Sequence, residues 1–151
     1  MATHTRTPGA TRSPVQTAAL LVGTVFLLVG ILGFIPGVTA HYGDMRFASH
    51  ESGAKLLGIF QVSVLHNLVH LAFGVAGLAV ARAVTGARTY LMAGGAIYLV
   101  LWLYGLFIGH GSSANFVPLN TADNWLHFVL GIGMIALGAL LTRTRSTADN
   151  R

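Results

Sequence analysis

Cysteine is absent from this chain. Disulfides, thiolate metal sites, iron–sulfur clusters and covalently attached haem are excluded with it. Charge is scarce as well. Nine Lys and Arg and four Asp and Glu make up 9% of 151 residues, where a soluble domain carries about 25%. So few charges cannot cover the surface of a soluble fold of this size. Disorder is excluded too, because it needs low hydrophobicity and high charge, and here 54% of residues are hydrophobic. Only one carboxylate, Asp123, lies beside a long apolar run, so chemistry by paired carboxylates is excluded. No phosphate loop, HExxH motif or nucleophile with its base is present. No catalytic motif therefore marks the chain as an enzyme.

What is present is apolar length. No charged residue falls between Arg12 and Asp44, a run of 31 residues, nor between Lys55 and Arg82, a run of 26. Arg88 to Asp123 leaves 34, and Asp123 to Arg143 leaves 19. About 20 apolar residues in a helix cross about 30 Å of hydrocarbon. Within a bilayer the backbone must satisfy its own hydrogen bonds, so each run predicts a helix. The runs do not alternate in polarity as membrane strands do. Helices are expected at about 16–35, 57–81, 89–108 and 124–142, with residues 55–62 alternatively lying along the interface. The N-terminal segment 1–15 and the tail 143–151 are expected to be disordered and cytoplasmic. The apolar stretch 18–35 exceeds the 7–15 residues of a signal-peptide core, so the first helix is expected to be retained.

The net charge is +5. With both termini in the cytoplasm, the inner segments hold Arg6, Arg12, Arg82, Arg88, Arg143, Arg145 and Arg151 against Asp149 alone. The outer loops hold Arg46 and Lys55 with Asp44, Glu51 and Asp123. This is the asymmetry that the positive-inside rule expects. It leaves no basic cluster for nucleic acid. Tyr42, Phe47, Phe116 and Trp125 suit an outer aromatic belt. His41, His50 and His110 read as solvated loop residues.

The chain repeats itself. Asn67-Leu-Val-His70-Leu-Ala-Phe-Gly74 matches Asn124-Trp-Leu-His127-Phe-Val-Leu-Gly131, with His66 over Asp123. Gly33-Phe-Ile-Pro-Gly37 matches Gly105-Leu-Phe-Ile-Gly109 more weakly, with Gly23 over Gly95. A duplicated helical hairpin is the expectation, its copies related by an axis along the membrane normal. The predicted fold is all-α: an integral membrane four-helix bundle with both termini cytoplasmic.

His66 and His70 share a helix face that continues as Gly74 and Gly77. Asp123 and His127 share one that continues as Gly131 and Gly138. Small residues mark close helix approach, so these faces point into the bundle. His66 to Arg82 and His127 to Arg143 each span 16 residues, about 24 Å of helix. The four side chains therefore converge on the outer third of the membrane. Three chemistries compete there. Asn67, His70, Asn124 and His127 serve as polar glue across helices. Alternatively His66, His70, Asp123 and His127 ligate a divalent transition metal. Or one His from each hairpin holds noncovalent haem b. Without an ion, Asp123 is expected to pair with Arg46 or Lys55.

Gly33-Phe-Ile-Pro-Gly37, Leu57-Gly-Ile-Phe-Gln61, His66-Asn-Leu-Val-His70, Tyr98-Leu-Val-Leu101 and Ala122-Asp-Asn-Trp-Leu-His127 resemble a small bacterial membrane family, domain of unknown function 4383. The likeness covers roughly residues 16–142. It implies four helices in the bacterial plasma membrane and no assigned reaction. Four short helices with little soluble mass suggest an accessory or structural subunit, partnered by another membrane protein or by further copies of itself.

Overall fold

The computed structural model describes residues 11–143. Among them lie four helices: α1 (Pro14–Leu32), α2 (Val64–Val80), α3 (Val84–Phe107) and α4 (Thr121–Arg143). α1, α3 and α4 are long and apolar enough to cross a membrane, and α2 is shorter, at 17 residues. Most of the expected disordered segments, residues 1–10 and 144–151, lie outside the described residues. Pro14 and Val15 are already helical. Proline suits this first turn, where its missing N–H costs nothing.

The helix expected to begin near 57 begins at Val64 instead. Residues 55–61 form two short strands, β2 (Lys55–Leu56) and β3 (Phe60–Gln61), paired antiparallel. β1 (Thr39–Ala40) pairs with β2 on its other edge. The reason is local. Leu57 and Gly58 both take positive φ, at 53° and 73°, as a type I′ hairpin turn requires. Ser63 then caps α2, its hydroxyl accepting the His66 amide at 3.1 Å. The sheet closes over a small apolar cluster of Ala54, Leu56 and Val62, packed by Val29, Leu32 and Met45. α3 starts five residues earlier than expected, so only residues 81–83 separate it from α2.

α1 packs on α2 and α3 on α4, each pair antiparallel. Gln16 at the start of α1 donates its amide to the carbonyls of Ala81 (3.1 Å) and Arg82 (2.9 Å) beyond the end of α2. At the other end Asn67 fills the space over Gly33, where no Cβ fits. In the second hairpin Asn124 fills the space over Gly105 in the same way. Gly23 faces the Gly74 carbonyl, and Gly95 faces the Gly131 carbonyl. Positions that matched in sequence thus make matching contacts. Between the hairpins, Phe26 of α1 lies edge-on to His70 (5.6 Å between centroids) and tilted against Tyr98 (5.5 Å). α2 and α3 touch far less than the partners within each hairpin, and the bundle is open along that side.

Candidate functional site

The polar side chains inside the bundle gather at the end where α2 and α4 begin. His70 is held by its own helix: Nδ1 lies 3.0 Å from the His66 carbonyl. A carbonyl only accepts, so Nδ1 of the neutral ring carries the proton and Nε2 offers a lone pair. The Tyr98 hydroxyl donates to that lone pair at 3.3 Å. His66 stacks on His70 with centroids 4.1 Å apart, and its Nδ1 faces Asn67 Oδ1 at 3.4 Å. His127 lies against the other side of Tyr98, 5.1 Å between ring centroids. Its Nδ1 is buried without a partner, as is Asn124 Oδ1. Tyr98 thus joins histidines of both hairpins.

A cavity of about 220 Å³ opens between α2 and α3 beside this cluster. His66, His70 and His127 line it together with Ser63, Phe73 and Tyr98. Three of the four expected ligands are therefore neighbours. Asp123 is not among the lining residues. Its Oδ2 accepts the backbone amides of Asn120 (3.0 Å) and Gln61 (3.1 Å), while Asn120 Oδ1 accepts the Asp123 amide at 3.0 Å. This reciprocal pair is a capping box at the start of α4, extended by one bond to β3. Asp123 meets neither Arg46 nor Lys55, contrary to expectation, because two backbone amides already satisfy it. Among the described residues no group of three or more His, Asp or Glu side chains is placed to hold a metal ion. His70 also has no unoccupied ring nitrogen, and Tyr98 contacts both histidines of the expected axial pair.

The expected bonds of Asn67 and Asn124 to histidines of the opposite hairpin are replaced by bonds within each hairpin. Asn124 Nδ2 donates to the Gly105 carbonyl at 2.9 Å. Asn67 Nδ2 points at Met45 Sδ, 3.9 Å away. Each asparagine sits over the glycine of its own partner helix, and that contact uses up its reach. The sequence reading missed Tyr98 and Asn120 as site residues. Tyr98 falls in the spaced series Gly95, Tyr98, Trp102, Gly105, whose pattern by itself points to helix packing. The Asn120-x-x-Asp123 spacing was the visible signal of the cap.

A Tyr98→Phe variant is expected to lose about 1 kcal/mol of stability, the net worth of one hydrogen bond. Combined with His70→Phe it should add little further loss, since both changes remove the same bond. Thermal unfolding of the single and double variants measures this. Fully additive losses would show that the bond contributes nothing.

Compared with known families, residues 16–140 match the profile of the family described as domain of unknown function 4383. The chain belongs to this family. No curated protein and no solved structure matches it.

Proposed function

We propose that the chain is a four-span protein of the bacterial cytoplasmic membrane, both termini inside, serving as a small non-enzymatic accessory subunit of a membrane assembly. One observation carries the reading: large apolar side chains stand exposed on all four helices while several polar side chains are buried. Leu21, Val75, Val100 and Val129 stand 59–64% exposed on α1 to α4. Asn67, Asp123, Asn124 and His127 are buried. Water would reverse that arrangement, and hydrocarbon favours it. Exposed Arg12, Arg82 and Arg88 lie at one end and Arg46 and Lys55 at the other. This polarity supports the orientation. α2 is short for a span, but Ser63 and the β2–β3 hairpin continue it at the outer end. The matching glycine and asparagine contacts support descent from a duplicated hairpin. The accessory role rests on largely apolar outer faces, which suit neighbouring helices as well as lipid.

The absence of cysteine makes labelling clean. Gly43→Cys and Ser113→Cys, both at exposed positions, should react with an impermeant maleimide on intact cells. Thr11→Cys and Ala83→Cys, also exposed, should react only after permeabilisation. The reverse pattern rejects the orientation. Purification in mild detergent should bring down a larger assembly, and a bare monomer without partners would reject the accessory role.

A further inference from the structure

We propose that the groove between α2 and α3 holds one hydrocarbon tail of an inner-leaflet phospholipid as a fixed part of the molecule. This rests on the membrane reading above.

The groove is held open by two tyrosines. Tyr90 and Tyr98 reach from α3 to α2, and each spends its hydroxyl there. Tyr90 donates to the Phe73 carbonyl at 3.1 Å, and Tyr98 donates to His70 Nε2 at 3.3 Å. The Tyr90 ring also rests on Gly77, where an added Cβ would lie 2.7 Å from it. Two aromatic rings, about 12 Å apart along α3, thus stand between the helices and fix their separation. Small residues usually let membrane helices approach closely. Here Ala76 of α2 and Ala93 of α3 line the gap instead, and both stay exposed. The result is a groove of two cavities, of about 220 and about 370 Å³, that share Phe73 and Ile97 as a border.

Its occupant follows by elimination. A void in hydrocarbon forfeits the dispersion contacts of its walls, so filling it is favourable. Both cavities are walled almost wholly by apolar surface. A buried water wants about 2–4 polar partners, which such walls do not supply. A partner helix is about 10–12 Å across, too wide to enter between helices that single tyrosine side chains bridge. A hydrocarbon tail is slim, apolar and the bulk material on every side.

The length of the larger cavity identifies the leaflet. It follows α3 from Thr85 to Ile97, about 18 Å of helix. One leaflet fills about half of a 30 Å hydrocarbon core. A tail entering beside Thr85 therefore ends near Phe73 and Ile97. Thr85 and Thr89 line only the cytoplasmic end of this cavity, the level at which the ester groups of inner-leaflet lipids lie.

The test uses the full chain in phosphatidylglycerol nanodiscs, with a fraction of the lipid carrying a photoreactive diazirine at the end of one tail. Crosslinks should concentrate on Phe73 and Ile97. After transfer to a steroid-based detergent, whose rigid rings do not fit the groove, one phospholipid per chain should remain, read as phosphorus. Ala93→Trp fills the groove from α3 and Ala76→Leu fills it from α2, both at exposed positions. Either variant, once its unfolding midpoint shows it folded, should release the phospholipid and move the crosslinks to the outer faces. Val25→Trp, at a 52% exposed position on α1, should do neither. Crosslinks as frequent at Val25 and Val129 as at Phe73, no phosphorus retained, or retention indifferent to both groove variants would each overturn the site. Loss of a larger assembly in Ala93→Trp with phosphorus unchanged would also overturn it, by assigning the groove to a partner's side chains. Correct cysteine labelling of the loops without retained phospholipid would sink this inference alone. Val129→Cys, 63% exposed within α4, reacting with a water-soluble maleimide in the nanodisc would sink the membrane reading itself.

Discussion

Gly74→Ala should open the first hairpin. A Cβ at this position would lie 2.6 Å from the backbone nitrogen of Leu27 and 2.8 Å from its Cα. Backbone atoms of a packed helix cannot step aside as a side-chain end does. α1 and α2 must separate, and the loss should reach the upper part of the 1–3 kcal/mol typical of overpacking. Gly74→Val should prevent folding. The matching Gly131 gives a graded comparison. Its nearest obstacle is Leu99 Cδ2 at 2.7 Å, the end of a flexible side chain, and only then the Gly95 carbonyl at 3.1 Å. Gly131→Ala should therefore be milder. Gly133 is the control, since a Cβ there meets nothing within 4 Å. Gly133→Ala should be neutral or stabilising by up to about 1 kcal/mol. Unfolding in a denaturing-detergent titration measures all three. Equal midpoints for Gly74→Ala and Gly133→Ala would refute the close-packing argument.

Asp123→Ala should be the most damaging single change at the outer end. It removes an acceptor serving two amides, at 3.0 and 3.1 Å. Losing a helix cap alone costs about 0.5–2 kcal/mol. The second bond, from Gln61, holds β3 against α4, and bonds to a charged acceptor contribute about 1.5–3 kcal/mol. Their combined loss should be about 2–4 kcal/mol. Asp123→Asn retains one side-chain oxygen and should lose less. Hydrogen exchange provides the specific readout. In Asp123→Ala the Gln61 and Asn120 amides should exchange fast, while amides in the middle of α4 stay protected. Unchanged exchange at Gln61 would refute the tether.

Much of this architecture is legible in the sequence alone, and for identifiable reasons. Charged residues are too costly to hide in hydrocarbon, so their gaps marked the helices. Ends were less legible. Leu57-Gly-Ile-Phe-Gln61 is apolar and read as helix by hydropathy, yet Leu57 and Gly58 turn the chain back and pair Leu56 with Phe60. Hydropathy reports burial and not backbone conformation. The start of α4 was expected three residues late, at 124, although Asn120 and Asp123 carry the spacing of a capping box, which is short-range chemistry.

The sequence by itself determined the class of the chain, the number of helices and the pairing of Gly and Asn positions between its halves. It did so because composition and repeats are properties of the chain alone. It also put His66, His70 and His127 within about one helical turn of the same level, since helical rise converts residue number to height. Which atoms meet was decided only in the tertiary structure. The rotation of each helix about its own axis follows from packing: Gly23 against Gly74 and Gly95 against Gly131 turn the asparagines onto their own glycines. That turn denies Asn67 and Asn124 to the opposite histidines. It leaves Tyr98 to bridge His70 and His127. Asp123 had the right height for the cluster, but two nearby backbone amides reach its carboxylate first. The gap between α2 and α3 was illegible in sequence altogether, because a cavity is what remains where tightly packed hairpins do not meet.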